Sequence, residues 1–533
     1  MRDSDLNAAL AEWKTALGEE NVTADASATL PAQTATFSTR QRVLAILKPA
    51  HRAEVQDCLR IANFHGIPVY PVSRGKNWGY GSRVPTAPEA VLLDLCRLNR
   101  IVDFDEKLAY VTLEPGVTQG QLYAFLAERK SGLWMDATGS SNEASVVGNA
   151  LERGFGHTPY GERFSHLCGL EAVLPNGEVL ETGFHRFPGA KAAPTYPFGM
   201  GPYIDGLFTQ SNFGVVTRMT LWLMPAPEYF QSFFFRSDNP GGLAPLVEAV
   251  RPLRLNGTIR NTIHIANDYK VLSGLRQYPF EETGGQTPLA PERMAEFRRR
   301  LHFGSWNGSG GLYGTRRQVA EARRLLRRAL KGKIDRIGFI DDRMLALIGR
   351  FATPFRLLTG WDLSRTLAIL RPVFGLMKGI PTDQPMESAY WRKRTVPPPQ
   401  MDPDRDRCGL LWYAPVAPAT GQDAVALTDA TCEVALAHGF EPAISMTMVT
   451  ERSLTCVISI TYDRDVAGDD DAALRCLNAL RTRLSTLGYY SYRLGVQSMV
   501  EMQGQNTYNR VLDSFRKTLD PKGILAPGRY SAR

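Results

Sequence analysis

The sequence predicts an α+β protein of two domains, on three observations. At 533 residues the chain exceeds what one hydrophobic core usually supports. From Val43 to Lys130 strand-like and helix-like stretches alternate, so βαβ organisation is expected there. Near residue 228, Pro225 and Pro227 punctuate the chain and its pattern changes, which marks a domain boundary.

The elements follow in order. Leu6, Leu10, Trp13 and Leu17 share one face of an N-terminal helix. Val43–Leu47 reads as a strand, and His51–His65 as a helix stopped by Gly66. Strand Ile67–Val72 leads into Pro71–Pro85, a loop carrying Gly75, Gly79 and Gly81. Strands Ala90–Leu95 and Ala109–Glu114 and a helix over Gln119–Lys130 come next. A second glycine-rich stretch spans Ser145–Gly161. A hairpin of Leu170–Leu174 and Glu178–Thr182 turns on Pro175-Asn176-Gly177, and Asn212–Met224 reads as a strand. Beyond the boundary, helices are expected over Leu246–Leu253, Glu292–Leu301 and Gln318–Leu330, and strands over Gly409–Tyr413, Ile444–Met448 and Thr455–Tyr462. Arg394–Arg407 reads as an exposed loop.

Composition narrows the function. A hydrophobic fraction of 44% with 22% charged residues is that of a globular protein. The net charge of +8 includes no block of pure Lys/Arg, so nucleic acid is not expected as a partner. Seven scattered cysteines without CxxC spacing argue against a disulfide framework or a metal site, and they fit a reducing, cytoplasmic setting. No signal-peptide h-region and no run of about 18 apolar residues is present. Segment 343–379 carries six Arg or Lys against one acid, Asp362. It is expected either to lie on an anionic membrane surface or to pack as helices on the second domain or at a dimer interface.

The loop after Ile67–Val72 has the composition of a phosphate or pyrophosphate cradle. Glycines let backbone N–H groups approach a ligand, and Arg74, Lys76 and Asn77 add charge and amide donors. It matches neither the dinucleotide G-x-G-x-x-G nor the P-loop pattern, and an ordinary glycine-rich turn is the alternative.

Five stretches then recur together and in order: GKNWGYGS, GNALERGFGHTPYGE, FGMGPYIDGLFTQSNFGVVTRMTLWLMP, WNGSGGLYG and DPKGILAPGRY. With them the chain resembles the vanillyl-alcohol oxidase and p-cresol methylhydroxylase family from about residue 40 to residue 530. The resemblance implies an FAD-binding domain formed by residues 1–228 and 498–533, with a cap domain at 229–497. It implies that Ser73, Arg74, Gly75, Lys76, Asn77 and Gly79 cradle the FAD pyrophosphate. Gly148, Asn149, Gly154 and Gly156 would approach from the second loop, and Asn212, Gly214 and Val216 would line the adenine and ribose side. Arg529 would close over the flavin. A small phenolic substrate would be held as phenolate by Tyr80, Tyr492 and Arg493, with O2 or a cytochrome as electron acceptor and a homodimer as the assembly.

Departures from the family bear on the chemistry. Thr455 and Cys456 stand where a paired His-His is frequent, and Ser140 or Ser141 stands nearest the oxidases' acidic residue. His157 replaces a tyrosine and is a candidate proton acceptor or a buried structural histidine. The histidine that bonds the flavin in oxidases falls at Leu410, which cannot form that bond. This leaves tyrosyl attachment at Tyr390, with Ala389 as the other counterpart, or non-covalent FAD, which is favoured.

Overall fold

The computed structural model describes residues 3–348, 350, 363–502, 504 and 506–531. It is an α+β structure of three main sheets. In the first, strands Val22–Thr23, Arg42–Leu47, Glu89–Asp94 and Val69–Val72 lie side by side, the last three parallel. Helix Arg52–His65 makes the crossover between Arg42–Leu47 and Val69–Val72, as parallel pairing requires. Gly66 ends it at φ +66, a left-handed conformation that suits a residue without Cβ. Helix Asp3–Leu17 packs on this crossover, its Trp13 indole donating to the Cys58 carbonyl at 3.2 Å. The C-terminal tail joins the same sheet. Val69 donates to Ile524 and Ala526 donates back to Val69, both at 2.8 Å. The tail therefore meets the chain two residues before the first glycine loop begins.

The second sheet is antiparallel, in the order Ile101–Asp105, Tyr110–Leu113, Val215–Trp222, Leu167–Val173, Val179–Glu181. Leu167–Val173 is buried throughout, which is why its sequence does not alternate.

The third sheet is a nine-stranded antiparallel cap. Its strands include Arg336–Ile340, Tyr229–Ser237, Trp306–Gly314, Ile263–Asn267, Ala443–Met448, Ser453–Asp463 and Cys408–Tyr413. Trp306–Gly314 is a strand despite three interior glycines. Gly308 pairs with Phe235 and Gly310 with Phe233, and a Cβ at either glycine would meet the partner ring at 2.0 Å or 2.5 Å. The phenylalanines cover the bare backbone, so the glycines are a packing requirement. Helices Leu243–Leu255, Arg316–Leu330, Gly421–Ala437 and Asp469–Thr486 back this sheet in the largest core.

One expectation is corrected. Arg394–Arg407 forms no regular element, and Val396 is fully exposed, but its acids reach inward. Asp402 pairs with Lys76 at 3.2 Å, Asp404 accepts from Ser82 at 3.0 Å, and Asp406 accepts from Tyr390 at 2.6 Å. The expected basic segment 343–379 lies partly outside the described residues, at 349 and 351–362. Within them, Phe374, near the end of helix Leu363–Leu376, and Met377, just beyond it, are buried on the cap. All seven cysteines are free. No helix of the described residues is long and apolar enough to cross a membrane.

Candidate active site

Both glycine loops, the Gln210–Val216 stretch, one face of the cap sheet and Arg529 border a single cavity of about 530 Å³. The cradle is built by absent side chains. Gly75 sits at φ +64, and a Cβ on Gly148 would lie 2.4 Å from the Ser73 hydroxyl. Ser73, Arg74, Gly75, Lys76, Asn77, Gly148, Asn149, Gly154, Gly214, Val216 and Arg529 all line the cavity. Three expected members do not. Gly79 (φ +75) packs against the Trp412 indole, which a Cβ would meet at 2.1 Å. Gly156 lies against the Asp136 carboxylate, and Asn212 is buried with its amide toward the Ala526 carbonyl. Those three shape the walls from behind. Bare glycine backbone together with Arg74, Lys76 and Arg529 in one cavity lining fits an anionic group such as the pyrophosphate of FAD.

The cations are largely compensated. Arg74 pairs with Glu143, and Lys76 with Asp402. Glu152, which the sequence reading missed, pairs with both Arg529 and Arg493. Burial opposes its charge, but Arg529 and then Arg493 hold its carboxyl below the ordinary range. Two guanidinium groups against one carboxylate leave this corner net positive.

Arg493 is fixed by Glu152 at 3.2 Å and by the Asn77 amide oxygen at 2.6 Å. Its guanidinium lies 4.4 Å from the centre of the Tyr80 ring. Tyr80 and Tyr492 face the same cavity. Burial pushes both phenols above their usual pKa, so they stay protonated and can donate. The structure thus brings Tyr80, Tyr492 and Arg493, two hydroxyls and one cation, together in the wall of one cavity.

The opposite wall is the cap sheet. Side chains alternate across a strand, so His264, Ser445, Thr447, Val457, Leu410 and Trp412 share the cavity face. Cys456 points away into the core and Thr455 does not line the cavity, so Val457 is the lining residue of that strand. His157 stacks on His264 at 4.4 Å, and both border the cavity. His264 contacts the Thr447 hydroxyl at 3.0 Å and the Thr262 hydroxyl at 3.3 Å, whereas His157 Nδ1 has no partner among the described residues. Burial, then Arg163, pushes His157 down to about 4, and burial drives His264 well below 6.5. Both are neutral near pH 7.

Tyr390 is a correction. The helical turn Gln384–Tyr390 presents Ser388 and Ala389 to the cavity and turns Tyr390 away. Its hydroxyl is committed to Asp406 at 2.6 Å. Leu410 lines the cavity and offers no nucleophile.

The buried histidines set an acid limit on stability. His166, stacked on Tyr160 at 3.8 Å, is also pushed down to about 4 by burial. Between that value and an unfolded 6.5, the unfolded chain binds more protons, so stability is lost as pH falls through this window. Thermal melts across it are expected to show a smaller Tm loss for His166→Phe than for the wild type. Identical slopes would contradict this.

Comparison with known proteins agrees with the geometry. The family model for an FAD binding domain matches residues 43–183. The chain is 45% identical to 1'-carboxy-chondrochloren decarboxylase of Chondromyces crocatus, across 100% of this chain and 98% of that one. It is 29% identical to the 4-cresol dehydrogenase (hydroxylating) flavoprotein subunit of Pseudomonas putida, across 98% and 95% of the two chains. A crystal structure of p-cresol methylhydroxylase with substrate bound superposes with a TM-score of 0.89 at 28% identity, covering 100% and 98%. FAD is the cofactor, and the protein is an FAD-dependent enzyme. Its whole-length likeness to these flavoenzymes, on the same fold, means that the chain belongs to the vanillyl-alcohol oxidase and p-cresol methylhydroxylase family.

Proposed function

We propose that this enzyme oxidises a para-substituted phenol at its benzylic carbon, through a quinone methide. The observation that carries the reading is the cradle of Tyr80, Tyr492 and Arg493 in the cavity that the glycine loops border. A phenol held there loses its proton readily. The guanidinium offsets the oxyanion charge, and the tyrosines donate to it. The phenolate then pushes electron density toward the para carbon, which makes the benzylic hydride easier to remove. Bound FAD supplies the acceptor for that hydride. The residues of this chain orient the ring and keep water out. His157, neutral and stacked on His264, offers a nitrogen acceptor for a proton on the cap side.

A second outcome for the quinone methide is favoured by the 45% identical relative, which is named a decarboxylase. If the para side chain carries a carboxylate one carbon beyond the benzylic position, its C–C bond can break. The bonding pair forms a double bond to the benzylic carbon and restores the aromatic phenolate, and CO2 leaves. No water-activating base is needed for that step, which suits a wall of Ser445, Thr447 and Val457. Mass spectrometry of the products distinguishes the outcomes: an alkenylphenol lighter by CO2 and two hydrogens, or a hydroxylated or desaturated product of unchanged carbon count. Peroxide formation under air tests whether O2 takes the electrons.

Tyr80→Phe tests the division of the first loop. Ser73, Gly75, Lys76 and Asn77 face the cofactor, and Tyr80 faces the substrate. The variant is expected to purify with its FAD and to bind a phenol about tenfold more weakly, the effect of one lost hydroxyl donor. Release of the flavin would overturn that division.

A further inference from the structure

Among the described residues, one cation of the cavity has no counter-ion. Arg74 has Glu143, Lys76 has Asp402, and Arg493 and Arg529 share Glu152. Lys270 also lines the cavity, from the first turn of helix Asp268–Leu275. Among the described residues its ammonium makes one polar contact, with the Ser459 hydroxyl at 3.1 Å, and no carboxylate lies within ion-pairing distance. Burial pushes it down to about 8, the mark of an ammonium set in a dry place without a partner.

Its position relates it to the phenol cradle. Asn267 caps the helix and accepts from the Lys270 N–H at 3.0 Å, which fixes the root of the side chain. Ser459 pairs across the strands with Trp412, and the ammonium lies 5.5 Å from the Trp412 ring. The same ring is 6.2 Å from the Tyr80 ring. Trp412 is therefore a shared neighbour of Tyr80 and of the Lys270 ammonium within one cavity. An aromatic wall shared by these two groups suits a substrate with an anion at each end. A single ammonium beside one hydroxyl suits a monoanionic carboxylate, whereas a dianionic phosphate would call for more donors.

We propose that Lys270 binds a carboxylate at the far end of the para side chain, so that the natural substrate is a phenol with an acidic side chain. This rests on the benzylic-oxidation reading and assigns its substrate class. In the resting enzyme Ser459 holds the ammonium in place. With substrate bound, the carboxylate supplies the missing counter-charge. If that carboxylate departs as CO2, Lys270 loses its partner again, which favours release of the product.

The test uses the FAD-loaded full chain and three probes: 3-(4-hydroxyphenyl)propanoate, its methyl ester and 4-propylphenol. Dissociation constants are read anaerobically from perturbation of the flavin spectrum or of tryptophan fluorescence, and turnover is read separately. The wild type is expected to prefer the acid over the ester. Lys270→Met is expected to lower that preference about 10- to 100-fold, the scale of a lost charge-assisted hydrogen bond, and Lys270→Arg to restore part of it. Equal affinity of the wild type for acid and ester overturns the proposal. So does a Lys270→Met variant that loses FAD or weakens all three probes alike, because the lysine would then serve the cofactor or the fold. Selective binding of the acid without turnover of any probe upholds the carboxylate site and overturns benzylic oxidation, so the two failures are separable.

Discussion

Arg493→Met is expected to lower kcat/KM for a para-alkylphenol by about 10²- to 10³-fold, the usual effect of removing one preorganised group from an oxyanion site. The guanidinium is the only fixed positive charge of the phenol cradle, and it sits 4.4 Å from the Tyr80 ring. The fold is expected to survive, because Glu152 keeps its pairing with Arg529. Arg493→Lys should fall between. A lysine retains the charge but cannot hold Glu152 and Asn77 at once, as Nε and Nη2 of Arg493 do. Steady-state rates and the pH dependence of phenol binding check this. Activity of the methionine variant within tenfold of the wild type would place the oxyanion elsewhere.

Asp136→Ala is expected to cost about 3–5 kcal/mol of stability, the penalty for leaving one member of a buried ion pair uncompensated. Asp136 and Arg163 are both almost fully buried and meet at 3.0 Å. Asp136 also accepts from the Thr158 N–H at 3.1 Å and from its hydroxyl at 2.7 Å. Arg163 donates to Asn149, which faces the cofactor cavity, at 2.5 Å. The pair thus ties both ends of the second glycine loop and sets His157 between them. Chemical denaturation should show the loss, accompanied by weaker FAD retention. An unchanged midpoint would mean that the loop is held by other contacts.

The first domain was legible because its signals are local. Gly66 stops a helix, Pro175-Asn176-Gly177 turns a hairpin, and βαβ alternation implies parallel pairing. Six of the nine cap strands were not legible. Tyr229–Ser237 and Trp306–Gly314 are paired strands whose glycines and phenylalanines make sense only across the pair, a relation that the sequence does not display. The substrate cradle could be named from the resemblance, residue by residue. Its supports could not. Glu152 lies in a helix-ending turn and finds Arg493 and Arg529 more than 300 positions away. His264 and Lys270 belong to a strand and helix that carried no motif. The resemblance pointed to Thr455 and Cys456, where the family carries paired histidines, whereas Val457 is the residue of that strand that lines the cavity. Tyr390 failed for a similar reason, since a shift of one residue in a helical turn exchanges a cavity-facing side chain for a buried one.

The most direct test of the central claim is anaerobic mixing of the FAD-loaded enzyme with 4-propylphenol, with its methyl ether, 4-propylanisole, as the control. The account predicts that the phenol bleaches the flavin absorbance and that the ether, which cannot form a phenolate, does not. Bleaching by neither compound, or by both at equal rates, would contradict it.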